Sequence, residues 1–454
     1  MKVLFVSLGC DTNLVDSERM LSSISLSGYT MTDREEEADV IIINTCCFID
    51  DAKEESIASI LQMAEYRKSG TCRALIVTGC MAERYRDEIA AELPEVDAVV
   101  PLKDEGTIAE VIRRLLPDAA DVSGNAGTEK HVPGQGISAD GDHSGRVITT
   151  GGHYEFLKIA EGCDKHCTYC VIPKIRGRFR SVPMEELVRE AECLAADGVK
   201  ELILVAQETT RYGLDLYGEK SLHVLLEKLC EIEGLRWIRV LYCYPEEIYP
   251  ALVDVMKRQP KICHYLDLPI QHADDDILKK MGRKTCRKDL EELIGMLRRE
   301  IPDIVLRTTL ITGFPGETEE QHQNLMSFID DMEFDRLGVF CYSQEEGTPA
   351  ALMPDQVDAE TKERRRDELL TLQQEVAAEA GERRIGTVME IMVEGFLSDE
   401  NAYVARTYGD APDVDGYFFM NSPETWNTGD FLKARVTGAD VYDLIGVPED
   451  EFTE

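Results

Sequence analysis

A strand-length apolar run followed by a helix-length segment recurs along this 454-residue chain, and that alternation decides what it can fold into. Residues 3–8, 39–44 and 74–78 form a first group of runs, with helices expected at 16–27, 51–68 and 82–93. Residues 155–159, 201–206, 237–242, 262–268, 304–311 and 336–342 form a second group, with helices expected at 184–196, 222–231, 247–257, 289–300 and 319–331. Alternating βα units build parallel sheets covered by helices, and ligands sit outside the carboxyl ends of the strands. The expected class is α/β: an N-terminal doubly wound parallel-sheet domain, then a central partial β/α barrel whose chemistry gathers at one end.

Cysteines mark those ends. Cys10, Cys46 and Cys80 each stand just past a run of the first group, so the topology brings thiols scattered along the sequence to one edge of one sheet. Taken singly, each reads as a small buried hydrophobe. The repeated placement instead favours three thiolates holding an iron–sulfur centre. Cys47 adjoins Cys46, and spacing alone does not choose between them. After the first run of the second group, Cys163, Cys167 and Cys170 form a C-x3-C-x2-C triplet. A structural zinc site normally adds a fourth local ligand; His166 lies between the thiols, poorly placed to close a tetrahedron, and no second cysteine pair is near. A 4Fe-4S cluster on three cysteines leaves one iron open to bind something else. Zinc or plain buried thiols are the alternatives. Cys72, Cys193, Cys230, Cys243, Cys263, Cys286 and Cys341 are expected to pack as buried thiols. At the end of the fifth run, Thr312-Gly313-Phe314-Pro315-Gly316-Glu317 opens a helix, where glycines let backbone approach a ligand and a helix N-terminus offers N–H groups to oxygen atoms.

Residues 117–150 are rich in turn formers and read as a linker or surface loop. His131, His143 and His153 fall in or beside it without regular spacing and are expected to be solvated. Residues 358–384 read as one long charged helix with a solvated face. Beyond Gly386, short β runs at 388–393, 402–406, 416–420 and 431–437 point to a small antiparallel β-barrel. The expected domain bounds are 1–117, 149–380 and 383–451. Barrels of this size often bind RNA through a basic, aromatic face. Here Arg406, Lys433 and Arg435 stand against 15 acids between Ile385 and Glu454, which repels RNA. The whole chain carries 49 Lys and Arg against 87 Asp and Glu, a formal charge of −38, and favours a basic partner. No apolar run approaches the roughly 18 residues of a membrane helix, the first residues lack a secretory cleavage pattern, and fourteen cysteines suit a reducing compartment. A cytoplasmic location is expected.

The C-x3-C-x2-C spacing with Tyr169 before its last cysteine resembles the signature of radical S-adenosylmethionine (SAM) enzymes. The domain order as a whole resembles the methylthiotransferase family: an N-terminal domain with an auxiliary cluster, a radical-SAM barrel and a C-terminal TRAM domain. The resemblance covers essentially the whole chain. It implies two 4Fe-4S clusters and SAM as cofactors, with Cys163, Cys167 and Cys170 holding the SAM-binding cluster. Cys10, Cys46 and Cys80 are then the auxiliary ligands, Cys46 taking the Asn-Thr-Cys position. The turn at 312–317 resembles the family's SAM-binding turn, which makes Gly313, Pro315 and Gly316 candidate SAM contacts. Tyr169 is a further candidate, near the adenine, with core packing as its alternative.

Within the family, several motifs are similar to the branch that modifies an aspartate in the twelfth protein of the small ribosomal subunit, more than to the branch that modifies tRNA adenosine. They are Leu8-Gly9-Cys10 with Asn13-Leu14-Val15-Asp16-Ser17-Glu18, Asn44-Thr45-Cys46 with Phe48-Ile49-Asp50, and Gln207-Glu208-Thr209-Thr210 with Tyr212-Gly213. Leu241-Tyr242-Cys243-Tyr244-Pro245 and Tyr265-Leu266-Asp267 agree with them. Asp11-Thr12 stand where Pro-Lys is usual in that branch, and Cys47 where a Gly is common. The implied reaction places a methylthio group on the aspartate β-carbon. No positioned base removes so non-acidic a proton at neutral pH, so the resemblance implies radical chemistry, with an external electron donor and a sulfur donor as partners and no direct nucleic-acid binding.

Overall fold

A computed structural model of the chain describes residues 1–117 and 145–449. His131, His143 and most of the expected loop lie outside the described residues. Two compact units divide the chain: residues 1–149, 156–165 and 170–180 form the first, and residues 150–155, 166–169 and 181–454 the second.

The first unit is built on a five-stranded sheet in the order Thr30–Met31, Lys2–Ser7, Val40–Thr45, Ala74–Gly79, Ala98–Val100, parallel throughout. Its two outer strands escape the sequence reading because they are too short to show a period. The inner strands have continuous apolar centres, residues 3–6, 40–43 and 74–77, because both faces are covered. Ile41, Ile43, Leu75 and Val77 enter one core, while Val40, Ile42, Ala74 and Ile76 enter the other. The order is that of a doubly wound sheet whose direction of winding reverses between Lys2–Ser7 and Val40–Thr45, where such folds open a crevice. The first helix starts at Asp11 rather than at residue 16. Its opening turn carries the buried polar residues Thr12, Asn13, Asp16 and Ser17, which a hydrophobic periodicity does not register. The expected helix at 51–68 breaks at Glu65 into Asp50–Ala64 and Tyr66–Ser69, and that at 82–93 breaks at Tyr85 into Cys80–Arg84 and Arg86–Glu92.

The second unit takes its strands in chain order, from residues 154 and 155 at the start of Tyr154–Lys158 through Glu201–Val205, Trp237–Val240, Ile262–Asp267, Val305–Thr312 and Arg336–Cys341, as an open β/α barrel. The expected helices are present between them. Ala359–Glu382 then leads into a closed five-stranded barrel of Val388–Leu397, Ala402–Thr407, Phe418–Met420, Phe431–Asp440 and Asp443–Pro448. The last strand is absent from the sequence expectation. It pairs antiparallel with Phe431–Asp440 and parallel with Phe418–Met420, so the barrel is antiparallel except at that seam. Arg406 is fully buried, which leaves Lys433 and Arg435 as the bases on the outside of an acidic barrel. His153, expected to be solvated, is instead buried with its Nε2 2.5 Å from Glu394. Among the described residues no helix is long and apolar enough to cross a membrane.

Candidate active site and cofactor ligands

In the first unit, Cys10, Cys46 and Cys80 follow three adjacent strands, and the pairing of Thr45 with Gly79 sets Cys46 and Cys80 side by side. Gly9 and Gly79 precede Cys10 and Cys80 with φ of +95° and +91°. A side chain at Gly79 would run into Asn44 Oδ1 and the Thr45 backbone, so only glycine lets the chain turn there and deliver Cys80. A Cβ at Gly9 would lie 2.8 Å from Cys46 Cβ, which measures how closely the Cys10 loop passes Cys46. Ser56 fastens Cys46 at both backbone groups, accepting from its N–H at 3.1 Å and donating to its carbonyl at 2.8 Å. Cys47 lies in the apolar core with Ile43, Ile60 and Val77, a core that Cys80 also enters. Among the described residues no three Cys, His, Asp or Glu side chains converge on a single-ion centre; Cys10, Cys46 and Cys80 stand at neighbouring strand ends. Burial pushes the Cys46 and Cys80 thiols up in pKa. A desolvated thiol keeps its proton unless a cation replaces it, so the donor set fits a metal centre that supplies that charge.

Polar side chains surround these strand ends. Asn13 donates to Leu8 O at 2.6 Å and to Thr45 O at 3.3 Å, tying the loop before Cys10 to the strand end before Cys46. Arg176, at the end of the short helix Ile172–Ile175, donates to Asp16 at 2.8 Å and to Glu161 at 2.9 Å through Nη1. Its Nη2 donates to Asn13 Oδ1 at 2.9 Å and to Cys80 Sγ at 3.4 Å. Lys158 binds Asp16 as well, and Glu161 at 2.7 Å. Burial opposes ionisation of Asp16, but Lys158 and Arg176 outweigh it and hold the carboxylate below its usual range. A cavity of about 560 Å³ borders this group; Glu105 on its wall is pushed up to about 8, by burial and then by Asp16.

The triplet Cys163, Cys167 and Cys170 lies in one short loop. In the first unit, Cys163 N–H donates to Gly177 O at 3.2 Å, and its Sγ accepts from Lys165 N–H at 3.4 Å. In the second unit, Cys167 Sγ lies 3.7 Å from the Tyr244 hydroxyl, and Tyr244 is stacked under the Arg283 guanidinium at 4.5 Å. Thr168 is clamped through its N–H to Met281 O and its carbonyl to Ala350 N–H, both at 2.9 Å. Tyr169 packs against the apolar cluster of Ile277, Met281, Phe314, Tyr342 and Ala350, the cluster that includes Phe314 of the turn at 313–316. That turn is held by Glu317, whose Oε2 accepts from Gly313 N–H at 2.5 Å and Phe314 N–H at 3.1 Å. The helix itself starts later, at Glu319 under a Thr318 cap. Gly313 is needed for packing as well as for its φ of +72°, since a Cβ there would strike the Lys362 side chain. The loops carrying the other sequence motifs are knitted together: Tyr242 N–H donates to Asp267 Oδ2 at 3.1 Å, and Thr209 Oγ1 to Leu241 O at 2.8 Å.

Comparison with known proteins adds the decisive observation. The family description "Uncharacterized protein family UPF0004" matches residues 2–101, the radical SAM superfamily residues 157–329, and the TRAM domain residues 385–448. The chain is 56% identical over 449 residues to the ribosomal protein uS12 methylthiotransferase RimO of Lachnoclostridium phytofermentans, covering 99% of this chain and 100% of that one. It is 47% identical to the RimO of Desulfitobacterium hafniense, covering 98% of each. The chain belongs to the RimO methylthiotransferase family. Among solved structures, the radical S-adenosylmethionine methyltransferase TsrM of Kitasatospora setae is similar in fold, with a TM-score of 0.55 over 77% of each chain at 16% identity.

As a RimO-family member the chain is a radical-SAM methylthiotransferase, working with SAM and 4Fe-4S clusters. The six cysteines read from the sequence all lie at the carboxyl ends of strands or in the loop that follows one. Four of the other cysteines, Cys193, Cys230, Cys286 and Cys341, are partly exposed rather than buried. Cys286 has a distinct task as the N-cap of helix Arg287–Glu300, its N–H donating to Asp289 at 2.9 Å. Sequence reasoning passed over Arg176, and quoted Asn13 and Asp16 within a family motif without giving either a role. The signal available was the polar trio at 13, 16 and 17, which share one helix face directly after a Gly-Cys pair.

Proposed function

We propose that this chain attaches a methylthio group to the β-carbon of an aspartate in ribosomal protein uS12. The observation that carries the reading is identity over nearly the full length to proteins named for that activity, in a chain whose cysteines line the carboxyl edge of a doubly wound sheet. Cys163, Cys167 and Cys170 are assigned to the SAM-binding cluster, and Cys10, Cys46 and Cys80 to the auxiliary one. When bound, the clusters and SAM supply hydrogen-atom abstraction and the methylated sulfur. The chain's own residues hold the thiolates in place, bury Cys46, Cys80, Cys163 and Cys167 while leaving Cys10 exposed, and compensate charge at Cys80. Tyr169, Gly313, Pro315 and Gly316 are proposed to contact SAM, with Glu317 bracing the turn from behind. The acidic C-terminal barrel supports a strongly basic protein substrate over RNA. An external reductant and a sulfur source complete the reaction.

The test is the intact mass of uS12 after anaerobic incubation with reconstituted enzyme, SAM, sulfide and a reductant. One methylthio group in place of hydrogen on an aspartate is the expected result. An unmodified uS12 alongside methylthiolated adenosine in co-incubated tRNA would overturn the assignment.

A further inference from the structure

We propose that Arg176 is a positioning residue for the auxiliary centre, fixing the Cys80 thiolate and raising the reduction potential of whatever cluster Cys10, Cys46 and Cys80 hold. The inference rests on the ligand assignment above and goes beyond it.

The guanidinium is 2% exposed, so each of its N–H groups needs a protein partner. A purely structural arginine spends its N–H groups on carboxylates and main-chain carbonyls. Arg176 does so with Nη1 alone, toward Asp16 and Glu161. The two carboxylates and the two cations Lys158 and Arg176 already balance, so no further anion is needed nearby for neutrality. The second nitrogen is directed elsewhere, to Cys80 Sγ at 3.4 Å and Asn13 Oδ1 at 2.9 Å. Asn13 in turn grips Leu8 O and Thr45 O, the backbone leading to Cys10 and Cys46. One side chain is therefore connected to all three cysteine-bearing strand ends, directly at Cys80 and through a single amide at the other two. Through Glu161 it also reaches the strand that runs into Cys163. Planarity matters here, because a fork with two parallel nitrogens can hold carboxylates on one side and a thiolate plus an amide on the other, which an ammonium cannot.

The chemical consequence follows from charge. Reduction adds an electron to a thiolate-ligated cluster. An N–H donated to a ligating sulfur and a fixed positive charge within a dry environment both favour the reduced form. Removing them should make reduction harder without removing a ligand.

The experiment is an anaerobic redox titration of the reconstituted full-length chain, followed by electron paramagnetic resonance, in wild type, Arg176→Lys and Arg176→Met. The cluster whose signal changes on addition of SAM is the SAM-binding one; the other is the auxiliary centre. In Arg176→Met the equilibrium constant for reducing the auxiliary centre is expected to fall at least tenfold, about 59 mV for one electron. Arg176→Lys should fall by less, while the SAM-responsive cluster keeps its potential in both variants. If Arg176→Met fails to load iron, a lowered potential in Arg176→Lys still carries the proposal. An Arg176→Lys protein with full iron and a wild-type auxiliary potential overturns it. A wild-type protein without any SAM-unresponsive cluster overturns the ligand assignment and this proposal with it.

Discussion

Each unit contains a buried arginine–carboxylate cluster, and the two clusters end on different acceptors. In the second unit, Glu201 accepts from Arg239 and pairs with Arg406, both at 2.7 Å, with Arg239 and Glu201 fully buried. Arg406 also donates to Glu394 at 2.7 Å. Each arginine also donates to one main-chain carbonyl, Arg239 to Tyr408 O at 2.7 Å and Arg406 to Asp410 O at 2.9 Å. This cluster fastens the loop after Ala402–Thr407 to the open barrel. In the first unit Arg176 begins the same way on Asp16 and Glu161 but finishes on Cys80 sulfur. On the ligand assignment proposed above, the same desolvated guanidinium is architecture when its last acceptor is a carbonyl and a positioning group for the auxiliary centre when it is a thiolate.

Breaking the first region at its acceptor should have the largest effect. Cys80→Ala is expected to lose one cluster's share of iron and all methylthio transfer to uS12, while reductive cleavage of SAM to 5′-deoxyadenosine continues. Gly79→Ala should act in the same direction, because its side chain would displace the turn that delivers Cys80. Iron analysis and product chromatography check both; retention of full iron in Cys80→Ala would remove Cys80 from the ligand set.

The second region should respond in stability instead. Glu201→Gln leaves two buried arginines short of an anion, and removing one partner of a buried pair costs about 3–5 kcal/mol. Chemical denaturation of the second unit should register that loss. Iron per folded molecule and the potentials of both centres should not move. A shifted potential would mean the two clusters are not separable in the way their acceptors suggest.

The contrast also explains what could be read in advance. The strand-end positions of Cys10, Cys46 and Cys80 were legible because strand ends are local events: an apolar run, then Gly-Cys or Asn-Thr-Cys, needs no knowledge of the partner strand. Arg176 was not, because its meaning depends on Asp16, Asn13 and Cys80, which only the sheet order brings to it. The polar face of the first helix was visible but mute for the same reason. The fifth strand of the C-terminal barrel was hidden differently. Gly446 and Pro448 break up its short apolar run, and Gly446 fits this strand where a side chain would collide with the Phe418 ring and Arg435 O. His153 was misjudged because its partner Glu394 is remote in sequence.

A third buried group sharpens the comparison with protons. Burial, then His322 and Arg365, lowers the His272 pKa from 6.5 to about 3, while burial raises Glu317 from 4.5 to about 7 against the pull of Arg365. The signs are opposite. Below pH 6.5 the unfolded state takes up a proton on His272 that the folded state refuses, so this contribution to stability is lost as pH falls. Between pH 4.5 and 7 the folded state keeps a proton on Glu317 that the unfolded state has released, so stability is lost as pH rises. Between pH 5 and 6.5 the two slopes cancel. Glu317→Gln should uncover the histidine slope, steepening the rise of stability with pH by about 1.4 kcal/mol per unit relative to wild type. Parallel stability–pH curves for the two proteins would refute the opposed pair.

The smallest effect returns to the first region and separates charge from hydrogen bonding. Cys10 Sγ lies 3.0 Å from Thr12 Oγ1, a hydroxyl on a residue 2% exposed and standing where this branch of the family usually has a lysine. If Cys10 is a thiolate ligand, the hydroxyl is the donor, and it brings a dipole without a net charge. Thr12→Val keeps the branched shape and removes that donor, a loss of about 0.5–1.5 kcal/mol for one hydrogen bond. The auxiliary centre should therefore become harder to reduce by less than in Arg176→Met, in the same titration. An effect as large as that of Arg176→Met would show that the donated hydrogen bond, and not the buried positive charge, sets the potential; no effect at all would take Thr12 out of the centre's environment and leave the guanidinium as its dominant control.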